Sequence, residues 1–74
     1  MGKDTERQRI GKRIADLRKE HGLTQQQLGD MCGIQQGHIA RIERGKYSVG
    51  LDTLAIIAKT LGKKIDFMDN PTPT

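Results

Sequence analysis

The sequence predicts an all-α fold: a compact four-helix bundle followed by a short C-terminal extended segment, which would count as a fifth element. Three observations predict it. Apolar residues recur three and four positions apart in four separate stretches, the spacing that gives a helix one apolar stripe. Gly22, Gly33, Gly45 and Gly62 close those stretches, where a helix end favours a residue of positive φ. Thr5 with Gln8, and Thr24 with Gln27, have the spacing of a capping box, in which two hydrogen bonds are exchanged across a helix start.

Taken in order, residues 1–5 read as a flexible polar arm. The Thr5–Gln8 box opens a first helix over 6–21. Ile10, Ile14, Leu17 and His21 form its inward stripe, and Arg7, Arg9, Lys12, Arg13 and Lys19 cover its other sides. After Gly22 the second helix opens at Thr24, with Leu23 before the cap and Leu28 inside as a hydrophobic staple. Leu28 and Cys32 are its stripe, and Gly29 sits where a larger side chain would keep the second and third helices apart. The third helix repeats the staple with Ile34 and Ile39 around Gln35, turns Ile39 and Ile42 inward, and ends at Gly45. Gln35 is a poor cap, and Gly37 within the helix costs about 1 kcal/mol against alanine, so this helix starts weakly. A turn through residues 46–50 leads to the fourth helix, capped by Gly50, with Asp52 well placed against the helix dipole. Leu51, Leu54, Ile57, Ala58 and Leu61 make its apolar face, and Ile56 points away from it. The helical domain thus spans 6–62. Residues 63–68 alternate as a short strand would, with Ile65 and Phe67 on one side, and 69–74 with Pro71 and Pro73 read as a disordered tail.

Composition narrows the function classes. Seventy-four residues make one domain with a modest core. The formal charge of +4 suits an anionic partner such as nucleic acid. Residues 51–74 carry three basic and three acidic side chains, so the excess lies in the first two thirds. The longest apolar run, Leu54 to Ala58, is only five residues, which argues against a membrane span. The opening MGKDTERQR has no apolar centre of the kind a secretory signal needs. With the lone Cys32 this places the chain in a reducing cytoplasm. Ser48 is the only serine, His21 and His38 lie on different helices, and no Cys/His set has zinc spacing. No glycine-rich loop precedes a helix with a lysine to cradle phosphates. No catalytic residue, metal or cofactor is expected.

Gln25, Leu28, Gly29, Gly33, Ile39 and Ile42 fall in register with the helix-turn-helix of the Cro/cI-type repressors, the Xre family, which residues 10–61 closely resemble. The resemblance implies a lambda-repressor-like bundle that binds double-stranded DNA with its third helix, residues 36–44, in the major groove. At about 100° per residue, Gly37, Ala40, Arg41 and Arg44 centre on the face opposite Ile39 and Ile42, with Gln36 at its edge. The Gln36 amide suits adenine N6 and N7, and the Arg41 fork suits guanine O6 and N7. Gly37 and Ala40 would let the backbone sit deep or leave room for a thymine methyl; alternatively, Gly37 merely leaves the helix loosely ordered until DNA is bound. Gln35 and His38 are secondary candidates, for a base edge and a phosphate. By the resemblance Gln25 donates to a phosphate, aided by the free N–H groups of its helix start. Arg44, Lys46, Tyr47 and Ser48 would clamp the backbone on the other side. Arg18 and Glu43 match the family's structural ion pair between the first and third helices.

One recognition helix covers only a few base pairs, so the implied state is a homodimer on a palindromic operator, with half-sites about 34 Å apart. Ile56, Ile65 and Phe67 are the candidate dimer surface, being large, apolar and not needed by the four-helix core; alternatively Ile65 and Phe67 fold back and seal that core. The implied function is a transcriptional regulator acting as a repressor. The alternative is an antitoxin that binds a toxin protein and autoregulates its operon.

Overall fold

Four helices form along residues 3–67, the part of the chain that the computed structural model describes: α1 Lys3–Glu20, α2 Gln25–Cys32, α3 Gln36–Glu43 and α4 Leu51–Thr60. Helix α1 begins at Lys3, ahead of Glu6, so residues 3–5 belong to the helix and not to an arm; residues 1–2 lie outside the described part. The helix runs through Thr5, which therefore does not cap it. An exposed i,i+3 pair supports these early turns: Arg9 donates from Nε and Nη2 to the two Glu6 oxygens, both at 2.9 Å. The Arg9 hydrogen bond and charge hold the Glu6 carboxyl below its ordinary 4.5. That support is present at neutral pH and is lost as acid carries the pH below 4.5 and protonates Glu6.

The core draws on all four helices: Ile14 and Leu17 from α1, Leu28 from α2, Ile39 and Ile42 from α3, Ile57 from α4 and Leu61 just beyond it. Both staple residues outside the helices, Leu23 and Ile34, pack against this cluster, as do Ile10, Cys32, Val49 and Leu54. The Cys32 thiol donates to Thr60 Oγ1 at 3.4 Å, tying the end of α2 to α4.

Two expected core positions are exposed. His21 lies outside the α1 stripe, with Nδ1 2.9 Å from the Leu17 carbonyl oxygen, because the helix has ended and the chain is already turning at Gly22. Leu51 is 69% exposed, since it starts its helix at the edge of the stripe, while Leu54 in the same turn packs against the core.

Two glycines within helices let backbones touch. A side chain at Gly29 would collide with the Ile34 carbonyl oxygen, so the close approach is to the turn itself. At Gly11 an added Cβ would strike the carbonyl oxygens of Ile42 and Glu43, the latter at 2.7 Å. Thus α1 lies directly on the C-terminal backbone of α3.

Residues 63–67 form no helix or strand within the chain, and Met68 with the tail 69–74 lies outside the described residues. Phe67 is fully exposed and Ile65 is 43% exposed, so these side chains do not seal the core. Among the described residues no helix is long and apolar enough to cross a membrane.

Candidate nucleic-acid interface

The α2–turn–α3 unit is built by local chemistry. Thr24 Oγ1 accepts from the Gln27 N–H at 3.0 Å, and Gln27 Oε1 accepts from the Thr24 N–H at 2.8 Å, which completes the capping box. Gly33 closes α2 at φ 73°, a conformation costly for any residue with a Cβ. The Ile34 N–H then donates back to the Gly29 carbonyl at 2.8 Å. Gln35 makes no side-chain cap, as its residue type led one to expect, and α3 starts without one.

On α3 the outward face carries Gly37, Arg41 and Arg44, all exposed. Ala40 does not belong to it. At 6% exposure Ala40 is buried with Ile39 and Ile42, because α3 packs against both α1 and α2 and its covered arc is wider than one stripe. The sites expected for base contact therefore lose Ala40. Among the described residues no ion pair or hydrogen bond occupies the side chains of Arg41, Arg44 or Lys46. A methyl group at Gly37 would meet nothing within 4 Å, so the fold itself does not require glycine there.

One flank of this face is a polar chain that spacing along the sequence does not reveal. Arg18 donates from Nε to Glu43 Oε2 at 2.7 Å and from Nη2 to Oε1 at 3.0 Å, while Nη1 donates to the Leu23 carbonyl at 2.8 Å. Glu43 Oε1 also accepts from Gln25 Nε2 at 3.0 Å, and Gln25 Oε1 accepts from Gln36 Nε2 at 2.7 Å. The ion pair is nearly covered, with Arg18 and Glu43 side chains 11% and 6% exposed. The Glu43 carboxylate raises the Arg18 guanidinium above its ordinary value, chiefly through these hydrogen bonds. A structural pair and two candidate DNA contacts are thus one connected network.

The other flank is aromatic. His38 and Tyr47 meet edge to face, with centroids 4.5 Å apart and planes at 70°. The loop after α3 therefore doubles back beside the first turn of that helix. His38 is half-buried in this contact, and Gln35, Lys46 and Ser48 are exposed beside the α3 ends. Gln25, Gln36, Arg18 and Glu43 are brought together, as are His38 and Tyr47. Ile56, at 49% exposure, stands on α4 and is part of neither group.

The helix-turn-helix family HTH_3 matches residues 14–68. The chain is 39% identical over 56 residues to an immunity repressor protein of Bacillus phage phi105, a match covering 76% of this chain and 39% of the phage protein. It is 34% identical over 68 residues to the uncharacterized HTH-type transcriptional regulator y4dJ of Sinorhizobium fredii, covering 92% of this chain and 86% of that one. Over 50 residues it is 40% identical to antitoxin PezA of Streptococcus pneumoniae, covering 68% of this chain and 32% of the antitoxin. Among solved structures, the restriction-modification controller protein C.AhdI of Aeromonas hydrophila superposes with a TM-score of 0.78 at 27% identity, over 81% of this chain and 91% of that one.

Proposed function

The chain belongs to the HTH_3 helix-turn-helix family, and on that premise we propose that it is a sequence-specific double-stranded DNA-binding transcriptional regulator, a repressor that reads the major groove with α3 as a homodimer. The observation that carries this reading is the outward face of α3. Arg41 and Arg44, without partners among the described residues, follow along one face from a glycine that packing does not demand. Such a face lets a helix enter a groove about 12 Å wide with its backbone close to the base edges. Gln36 and Arg41 are the proposed base contacts, with Gln35 beside them. Gln25, His38, Arg44, Lys46 and Tyr47 are proposed to face phosphates on the two flanks. The role is binding, not catalysis, and its setting is the cytoplasm, where operator DNA is reached.

Selection of bound sequences from a random duplex pool, at two salt concentrations, tests the reading. A palindromic winner is expected, with half-sites about 34 Å apart. Binding should weaken with salt by a slope of about −0.9 for each phosphate engaged. Gln36→Ala should cost about 1–3 kcal/mol of discrimination at one base pair and leave other positions alone. A pool that yields no preferred sequence overturns the regulator assignment. Gly37 supplies a sharper check. Gly37→Ala should stabilise the fold by up to about 1 kcal/mol, since alanine is the better helix former. The same change should weaken operator binding roughly tenfold, because a methyl group then crowds the groove. Thermal melting and gel-shift titration of one preparation read both effects.

The dimer is proposed to form through Ile56, Ile65 and Phe67, whose exposed apolar side chains this chain leaves uncovered. Light scattering at high micromolar concentration, with Ile56→Lys as the control, checks it. The second reading, an antitoxin that binds a toxin and autoregulates its operon, is favoured by the likeness to PezA over 50 residues. Co-purification with the product of a neighbouring toxin-like gene would support it.

A further inference from the structure

We infer that Glu43 is a positioning residue for base selection: acting through Gln25, it sets which hydrogen-bonding groups Gln36 turns toward DNA, and so favours adenine over guanine. The inference rests on Gln36 as the base contact proposed above. Its warrant is the direction of the polar chain. A carboxylate only accepts hydrogen bonds. Glu43 Oε1, already receiving Arg18 Nη2 at 3.0 Å, therefore takes a hydrogen from Gln25, and the Gln25 amide must present Nε2 to it at 3.0 Å. With that nitrogen committed, Gln25 offers Oε1 at its other end. Gln36 answers with Nε2 at 2.7 Å. Each amide is thus oriented by its predecessor, starting from a charge held by Arg18.

The consequence lies at the free end. Gln36 keeps its Oε1 and one N–H, an acceptor beside a donor. Adenine shows the complementary pair in the major groove, the N6–H donor beside the N7 acceptor. Guanine shows two acceptors, N7 and O6, which an amide in this orientation cannot satisfy together. Reversing the chain would turn both Gln36 N–H groups outward and suit guanine. Glu43, nearly covered beneath Arg18, acts through Gln25 alone, and its acceptor-only chemistry decides which edge is matched.

The test compares base preference at the position read by Gln36 for wild type, Glu43→Gln and Gln25→Met, using duplexes that differ at that one base pair. Wild type should prefer adenine by about 5- to 150-fold, the range of a good bidentate contact. In Glu43→Gln the new amide can donate to Gln25 and reverse the chain, so the adenine preference should fall at least severalfold while guanine gains. Preferences at the remaining positions should stay. Gln25→Met leaves the Arg18–Glu43 pair in place and cuts the chain; it should narrow the adenine preference without a guanine gain. Should Glu43→Gln fail to fold, slowed exchange of the Gln25 side-chain amide protons in the free wild type, read by NMR, together with the Gln25→Met ratio, decides the matter. An unchanged adenine preference in a folded Glu43→Gln, or in Gln25→Met, overturns the inference. A wild type whose preference survives Gln36→Ala overturns instead the reading of Gln36 as the base contact.

Discussion

Arg18→Met should remove about 3–5 kcal/mol of folding free energy, because it strands a carboxylate in a site where water cannot replace the lost partner. Glu43 is 6% exposed at the side chain, and Arg18 gives it two hydrogen bonds, at 2.7 and 3.0 Å. After the change only the Gln25 amide remains on Glu43, and the Leu23 carbonyl, which took a third Arg18 hydrogen bond at 2.8 Å, is left without that donor. A domain of this size holds about 5 kcal/mol in total, so the variant should be substantially unfolded at growth temperature. Urea denaturation followed by far-ultraviolet circular dichroism measures it. Removing both charges, as Arg18→Met with Glu43→Leu, should recover most of the loss, since the penalty belongs to an unpaired buried charge and not to the absence of an ion pair. A single-variant loss under about 1 kcal/mol would mean the pair behaves as an exposed one, and the account above fails.

Gly11→Ala should cost about 3 kcal/mol, although on an open helical face the same change gains about 1 kcal/mol. The sign reverses because the added methyl group meets the Ile42 and Glu43 carbonyl oxygens, which are helix backbone and cannot turn aside as a flexible side chain would. Relief requires α1 to lift off α3, and Arg18 lies on one of those helices and Glu43 on the other. The variant should therefore also loosen the ion pair. Equilibrium melting beside Gly37→Ala makes the comparison direct, since both variants swap glycine for alanine within a helix. Equal effects at the two positions would overturn the packing argument.

The parts legible along the chain are those whose partners are near in sequence. Thr24 and Gln27 are three apart and form the box that their types imply. Gly33 takes the left-handed conformation that its place after an apolar stripe calls for. The stripes centred on Leu28, Ile39 and Ile57 are buried as helical spacing requires. Periodicity fails at stripe edges. Leu51 and Ala40 share a residue class with their neighbours, but whether a face is covered depends on which other helix passes over it. For Ala40 the covered arc was wider than a helical wheel allows, and Leu51 stands at the exposed edge of its stripe.

The kinds and ends of the helices, the apolar centre and the arginine-bearing face of α3 follow from short-range chemistry: caps, glycine dihedrals and a period of about 3.6 residues. The contact of α1 on the α3 backbone at Gly11, and the chain from Arg18 through Glu43 and Gln25 to Gln36, do not follow from it. Gly11 stands more than 30 positions from Ile42 and Glu43, and the linked pairs of the chain stand 11 to 25 apart, at Gln25–Gln36, Gln25–Glu43 and Arg18–Glu43. No local preference carries information across such distances. Only the packing angle between helices brings these atoms to within 3.0 Å of one another, and with it settles which way each amide must face.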